Sequence, residues 1–417
     1  MRTTFILPVV FLALVGPYSV AAPPSQSTAT HTLGPAVAEA VNAAQIAIKE
    51  RHWHQAERIL EDSKSGATSD WENYQLDELK AYVLYREQKQ GAAAAVYAQL
   101  LQYPYGSAAE RKIWAKSAAE MYFKAGDYRQ AASYGGAYLG AYPGDATIPA
   151  LVADSQLRLK DYEQSAQGMS TAIDRAEAHH QAPGESLLRI ADNAYYRMGD
   201  TRDEISILQK LVHYYHRGED WQALVELSSP GQSNERDQFE FLRLKYDLGL
   251  LNAPGDYESL IFESKGEGMP AKAAAVLRQA MERDIFSKDR GERLHHALDS
   301  RELNMKARLQ HALNRAQRDK TGESDALVAQ ICLDQGDYAR AAAAAERAIA
   351  RGSLKDQGAV RLNLGIAYMR NGQPSLAEDA FNAVPSHSHW APLAQLWKLH
   401  AEDQDSQSKV MNAHNVS

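Results

Sequence analysis

The chain is poor in the residues that build disulfide frameworks and cysteine-ligated metal sites. It contains a single cysteine, Cys332. One cysteine cannot form an internal disulfide, and it excludes a zinc site built from four cysteines. Cys332 stands at a repeat position that holds a tyrosine in neighbouring units. We therefore interpret it as a small buried apolar residue.

Clusters of positive charge are also missing. The 45 Lys and Arg residues are outnumbered by 53 Asp and Glu residues, and the net charge is −8. Nucleic-acid-binding domains usually carry a basic patch or a Lys- and Arg-rich run. No such run occurs in this sequence, so we do not expect nucleic acid among the partners.

Long apolar runs are limited to the N-terminus. Arg2 precedes an apolar stretch at 5–15, and Ser19-Val20-Ala21 supplies the small residues of a cleavage site. The stretch is shorter than the roughly 20 residues that span a bilayer. No cysteine follows the cleavage point, so a lipid anchor is not expected there. The pattern predicts a cleavable signal peptide over 1–21, export to the periplasm and a mature chain without a membrane span.

Recognisable catalytic motifs are absent. The sequence has no Gly-x-Ser-x-Gly elbow, no phosphate-binding loop and no His-Glu-x-x-His motif. Histidine pairs such as His213 and His216 lack a third ligand at suitable spacing. We interpret these pairs as exposed helix ends. The sequence therefore predicts no catalytic residue, no cofactor and no metal site.

The sequence does contain a repeated helical pattern, clearest over 325–385. Each copy has a small residue, a glycine seven residues later and an alanine five residues after that. The matching residues are Ala329 and Gly365, Gly336 and Gly372, and Ala341 and Ala377. This is the tetratricopeptide pattern, in which a glycine turn joins two antiparallel helices and the period is near 34 residues. A single hairpin cannot bury its apolar face, so neighbouring hairpins must stack on it.

The glycine position of this repeat can be followed along the whole chain. It falls at 51, 89, 126, 160, 199, 268, 302, 336 and 372, with a missing position near Ser233. These positions predict an all-α, right-handed solenoid of about ten hairpins, several degenerate, with contacts mostly between neighbours. We divide it into a flexible lead-in at 22–34, N-terminal units at 35–217, C-terminal units at 218–402 and a disordered tail at 403–417.

A polar stripe follows the first helix of three successive units. It consists of Lys116, Glu120 and Lys124, then Ala150, Asp154 and Arg158, then Arg189, Asn193 and Arg197. Five of these side chains are positive and two negative. We hypothesise that they form a protein-binding groove for an extended peptide with acidic groups or a free carboxylate. The alternative is a solvated helix face with i,i+4 ion pairs. The equivalent stripe in the last unit, Leu362, Ile366 and Arg370, predicts an apolar protein contact.

The C-terminal two-thirds of the chain carries more specific motifs. Gly268-Met269-Pro270-Ala271-Lys272-Ala273 precedes one helix, Arg351-Gly352-Ser353-Leu354-Lys355 links the last two repeats, and Trp397 stands in the closing helix. These segments resemble periplasmic tetratricopeptide proteins associated with bacterial TonB–ExbB–ExbD energy-transducing systems. The resemblance implies a non-enzymatic scaffold that aids TonB-dependent transport, such as iron–siderophore uptake. The chain departs from the family at 228–237, where Pro230 and Gly231 interrupt a helix.

Three classes of function remain open from the sequence. The first is an accessory of TonB-dependent transport, whose partners would be TonB, ExbB or ExbD. The second is a periplasmic factor for envelope polymer export or outer-membrane assembly. The third is an enzyme, for instance one acting on the cell wall, which would need converging ionisable groups in a cleft. Because one fold hosts many functions, the fold alone does not choose among them.

Overall fold

A computed structural model describes residues 32–229, 235–302 and 305–415. The described residues form helices without any β-strand, which confirms the predicted all-α fold. The helices are α1 (Pro35–Lys49), α2 (Trp53–Lys64), α3 (Asp70–Arg86), α4 (Gln90–Leu100), α5 (Ala108–Ala125), α6 (Tyr128–Ala141), α7 (Ile148–Arg158), α8 (Tyr162–Ala178), α9 (Glu185–Met198), α10 (Thr201–Tyr215), α11 (Gly218–Ser228), α12 (Glu235–Asp247), α13 (Pro254–Gly266), α14 (Pro270–Glu282), α15 (Lys288–Glu302), α16 (Met305–Ala316), α17 (Glu323–Asp334), α18 (Tyr338–Arg351), α19 (Gln357–Arg370), α20 (Pro374–Asn382) and α21 (Ala391–Asn415). The predicted signal peptide lies outside the described residues.

The turns between paired helices follow the predicted repeat. Backbone φ is positive at Arg51, Gly126, Lys160, Gly199, Gly268, Gly336 and Gly372, each at its predicted position. In the second hairpin, formed by α3 and α4, the positive φ falls on Gln88 rather than on Lys89. The predicted turn near Ser233 lies outside the described residues. The left-handed conformation reverses the chain at these positions, so successive helices pack as antiparallel pairs.

Small residues allow the paired helices to approach closely. A Cβ atom added at Gly365 on α19 would lie 2.4 Å from a ring atom of Phe381 on α20. Phe381 is itself buried. Glycine at this position therefore lets the aromatic ring pack directly on the α19 backbone, as the small-residue position of the repeat predicts.

The chain divides into two compact units, at Trp114 and Ala115 within α5. In the first unit α1 to α3 share a hydrophobic cluster that includes Val37, Leu60 and Leu76. The start of α3 is a capping box, in which Glu72 also accepts a hydrogen bond from the Gly34 backbone N–H at 2.8 Å. Backbone hydrogen bonds from Thr68 and Gly34 lower the pKa of Glu72 to about 2.

The second unit contains contacts that a chain of neighbouring repeats does not predict. Helix α21 packs against α10, α11 and α12, which precede it by about 180 residues. One hydrophobic cluster contains both Trp221 on α11 and Trp397 on α21, whereas the buried side chains of α13 to α15 form a cluster of their own. We call this return of α19–α21 onto α10–α12 the closure contact. Its physical reason is that two large apolar side chains, Trp390 and Trp397, are buried by it.

Polar side chains accompany the closure contact along its length. His213, His216 and His389 form pairs with Glu402, Asp403 and Asp237. Arg236 lies over the ring of Trp390, 5.3 Å from its centroid, and pairs with Asp356. Arg243 donates a hydrogen bond of 3.2 Å to Asn363 Oδ1 on α19. His213 and His216 are exposed at the end of α10, as expected, but they also join two distant parts of the chain.

The closure contact changes three expectations. Leu362 and Ile366 are buried within the chain, so the predicted apolar stripe of the last unit is not an exposed contact surface. Residues 403–415, predicted to be a disordered tail, continue α21 because its earlier turns are anchored on α10 to α12. The hydrophobic cluster continues across the division proposed at 217 and 218, with Leu211 on one side and Trp221 on the other.

Gly336 tests the turn geometry directly. Its φ is +75°, and nothing lies closer than 3.9 Å to a Cβ placed there, so any loss on substitution comes from the backbone. We expect Gly336→Val to lower the free energy of unfolding by about 1–2 kcal/mol, since β-branched residues rarely adopt positive φ. Gly336→Asn is the matched control, because asparagine tolerates this conformation. Urea denaturation of both variants measures the difference; equal losses would place the cause elsewhere.

His400 makes the closure contact sensitive to pH. Its ring is 5% exposed and lies between Trp221 and Trp397, and Nδ1 has no hydrogen-bond partner among the described residues. Burial lowers its pKa below the ordinary 6.5, and Arg370 acts in the same direction against Asp247 and Asp403. The folded state thus binds fewer protons than the unfolded state, so stability is lost as pH falls below 6.5 toward the lowered pKa.

We expect the melting temperature to fall between pH 7 and pH 5, and His400→Gln to make that fall smaller by removing the titrating group. His311 on α16 is exposed, and His311→Gln should leave the pH dependence unchanged. Scanning calorimetry across this range is the measurement. A wild-type slope retained in His400→Gln would show that another group titrates.

Candidate protein-binding site

The predicted groove residues lie on α5, α7 and α9, but most of their positive charges are already paired. Lys116 Nζ lies 2.9 Å from Asp145 Oδ2. Arg158 pairs with Asp154 at 3.1 Å and also lies over the ring of Tyr128. These contacts correspond to the alternative of a helix face whose charges are locally compensated.

Arg189 is the most strongly engaged of the groove residues. Its guanidinium makes two hydrogen bonds to Asp220, whose side chain is only 2% exposed. It also lies 3.3 Å from Glu185 and 3.4 Å from Glu219. Arg189 therefore neutralises a buried carboxylate at the start of α11 and holds α9 against it. The Arg189 side chain is 32% exposed and is engaged within the chain, and its role in a binding groove stays a prediction.

The other groove residues have mixed exposure. Lys124, Asn193 and Arg197 are exposed, whereas Glu120 is half-buried. Burial raises the pKa of Glu120 in spite of the nearby charges of Lys116 and Lys124.

A cavity in the second unit brings charged residues together from helices far apart in sequence. Its volume is 320 Å³. It is lined from α12, α14, α17, α18 and α19, and its polar lining includes Arg243, Tyr246, Asp247, Lys272, Asp334 and Arg370. Sequence analysis did not select these residues as a site, because they come from four hairpins that are far apart in sequence.

The centre of this cavity is the carboxylate of Asp247, whose side chain is 4% exposed. Lys272 Nζ lies 3.0 Å from one oxygen, and Arg370 lies 2.5 Å from the other. Burial alone would raise the pKa of Asp247, but the charges of Lys272 and Arg370 outweigh it and hold the pKa below its ordinary value. The two cations therefore share one buried anion.

A second carboxylate, that of Asp334, also lines the cavity. Asp334, at the end of α17, accepts hydrogen bonds from the backbone N–H groups of Ala271 at 3.2 Å and Lys272 at 2.8 Å. It thereby caps the N-terminus of α14 from another hairpin. Its negative charge also interacts favourably with the positive end of the helix macrodipole. Burial raises the pKa of Asp334, and these two hydrogen bonds act against that shift.

The cavity lining is rich in charged side chains. Three cations, Arg243, Lys272 and Arg370, line it with the carboxylates of Asp247 and Asp334, and Arg243 also pairs with Glu240 at 3.2 Å. No serine, cysteine or histidine occurs in its described lining, whose ionisable groups are carboxylates, tyrosines, a lysine and arginines. One signal was available in the sequence, since Lys272 stands in the first turn of a helix, where a cation opposes the macrodipole.

Two segments of the chain match family models described as tetratricopeptide repeat, at residues 185–215 and 333–401. The first segment contains α9 and α10, and the second runs from the end of α17 into α21. The chain carries tetratricopeptide repeats. Together with the helical hairpins, these matches establish an all-α solenoid of tetratricopeptide type, and such repeats bind other proteins.

Comparison with solved structures returns further helical-repeat proteins. A tetratricopeptide repeat protein from Parabacteroides merdae has 14% identity and a TM-score of 0.33, covering 80% of this chain and 99% of that one. The yeast Sti1 TPR2AB domain, solved as a pHSP90 complex, has 12% identity and a TM-score of 0.25, covering 70% and 99%. No curated protein matches the chain in sequence. Among the described residues, none of the helices is both long and apolar enough to cross a membrane.

The contrast between Arg189 and Arg197 is testable. Arg189→Glu should lower the free energy of unfolding by roughly 2 kcal/mol, because it leaves the buried Asp220 carboxylate without its counter-ion. Arg197→Glu, on the exposed end of the same helix, should change it by less than about 0.5 kcal/mol. Thermal and urea denaturation measure both. Equal effects would mean that the Arg189–Asp220 pair does not stabilise the second unit.

Proposed function

We propose that this tetratricopeptide repeat protein is a non-enzymatic scaffold that binds other proteins through the cavity around Asp247. The observation that carries the proposal is the convergence of Arg243, Lys272 and Arg370 in a cavity of 320 Å³. A volume of this size suits a small ligand or the end of a peptide. Because three cations lie together in the lining, we expect the partner group to be an acidic side chain or a terminal carboxylate that competes with their present carboxylate partners.

The biological setting of the proposal is the bacterial periplasm. Its support is the sequence pattern at 1–21, with Arg2, an apolar run and Ser19-Val20-Ala21. After removal of this segment the chain would act as a protein of the periplasmic space. The alternative setting, export of envelope polymers or assembly of the outer membrane, uses the same localisation.

Within the periplasm we assign the chain to TonB-dependent transport as an accessory protein. The support is the resemblance carried by 268–273 and 351–355. The first of these segments contributes Met269, Ala271 and Lys272 to the cavity lining. The segment 268–273 thus carries part of the sequence resemblance and also contributes residues to the charged cavity. Partners among TonB, ExbB and ExbD follow from this assignment.

Site-specific photo-crosslinking in intact cells tests both the surface and the partner. A photoreactive amino acid replaces Gln335, an exposed residue of the cavity lining, or Arg197, the exposed groove residue. Arg278 is the control, because it is exposed on α14 but does not line the cavity. We expect the Gln335 probe to capture components of the TonB complex and the Arg278 probe to capture none of them.

Other outcomes separate the parts of the proposal. Capture of TonB components from Arg197 but not from Gln335 would reject the cavity and return the contact to the predicted groove. Capture of polymer-export or assembly proteins from Gln335 would keep the cavity and reject the transport role. Equal capture from all three positions would reject a specific site at the cavity.

A further inference from the structure

The first unit contains a cluster of potential metal ligands that no repeat position explains. His54 and Glu57 lie near the start of α2, and Glu87 lies at the end of α3. One ligand atom from each lies within 4.8 Å of the corresponding atoms of the other two. We propose that His54, Glu57 and Glu87 bind a divalent transition metal ion, with Zn²⁺ as the best match to their donor atoms.

Local backbone geometry brings these three side chains together. His54 and Glu57 are three residues apart, so they lie on the same face of α2. Glu87 is the C-cap of α3, immediately before Gln88 with φ of 60°, so the turn into α4 directs this segment toward α2. His54 Nδ1 lies 2.5 Å from Glu87 Oε1. The cluster therefore joins the first two hairpins of the chain.

Burial of Glu87 is the second observation that points to a cation. Its side chain is 3% exposed, and neither carboxylate oxygen makes a hydrogen bond of good geometry among the described residues, although Nδ1 of His54 and Nζ of Lys89 lie close to them. Its polar neighbours are the His54 ring, Glu57 and the ammonium group of Lys89, 3.1 Å from Oε2. A buried carboxylate next to a second one needs positive charge, and one ammonium group leaves the pair with a net charge of −1.

The donor set and exposure fit Zn²⁺ in an open site. Zinc takes imidazole nitrogen and carboxylate oxygen at about 2.0–2.2 Å, and three protein ligands leave a fourth position for water. The His54 side chain is 85% exposed, so it can move to the ligand–ligand spacing of roughly 3.3 Å that tetrahedral geometry requires. A site made only of oxygen donors would instead favour Mg²⁺ or Ca²⁺.

Lys89 determines how the site responds to metal. Its ammonium group pairs with Glu57 as well as with Glu87 and therefore occupies the space between the two carboxylates. The side chain is 41% exposed, so it can swing into solvent when an ion enters. Zinc must displace this ammonium group. The same lysine thus neutralises the empty site and weakens the affinity for metal.

Calorimetric titration of the full-length chain with ZnCl₂ tests the proposal, using protein purified without a polyhistidine tag. We expect His54→Ala to weaken zinc binding at the site at least tenfold. His52→Ala is the matched control, because His52 is an exposed histidine two residues away that pairs with Glu50 outside the cluster. It should change the affinity less than twofold. Both positions are exposed, so neither substitution disturbs the core.

The Lys89→Met variant separates a metal site from an ion-pair network. If zinc displaces the ammonium group, this variant should bind zinc about five- to tenfold more tightly than the wild type, and saturating zinc should raise its melting temperature. Equal zinc binding by the wild type and His54→Ala would overturn the proposal. So would unchanged or weaker binding by Lys89→Met, since the lysine would then be the permanent counter-ion of Glu57 and Glu87.

Discussion

The shared ion pair of Asp247 with Lys272 and Arg370 is the interaction on which the second unit depends. It joins α12, α14 and α19, which lie in three different hairpins. A buried carboxylate without a counter-ion costs several kcal/mol, so the two cations together stabilise the arrangement of all three helices. Arg243, bonded to Asn363 on α19, makes a second polar link between the same parts of the chain. The contacts between α12 and α19 join residues about 120 positions apart, where an open stack of repeats has none.

Sequence periodicity predicts the packing within each hairpin well. It does not predict the contacts between helices that are far apart in sequence. Small residues and turn residues repeat near every 34 positions because each hairpin has the same internal packing problem. Gly336 and Gly372 therefore fall where φ is positive. The partner of an apolar helix face is not encoded in that period. Leu362 and Ile366 look like an exposed apolar stripe in sequence, yet the closure contact buries them.

The candidate sites show the same division between local and distant information. Counting charges along one helix face gave a positive groove, but the partners of Lys116 and Arg189 come from a connecting segment and from another helix. Such partners are invisible to an i,i+4 count. Conversely, Arg243, Asp247 and Arg370 carry no common motif, and only the closure contact makes them neighbours. For Lys272, an unfavourable charge in the first turn of a helix was a usable signal.

The location of the cavity has a consequence for how a partner would be bound. Its lining comes from α12, α14, α17, α18 and α19, so the site exists only while these helices are together. A ligand that binds only this arrangement stabilises it, and by linkage any influence on the closure contact alters the affinity for the ligand. His400 lies at the closure contact and interacts electrostatically with Asp247. Burial of that ring opposes its protonation, so acidification disfavours the packing of α21 on α11, even though Asp247 favours the charged ring. In a scaffold with this geometry, partner binding and the return of the C-terminal helices are thermodynamically coupled.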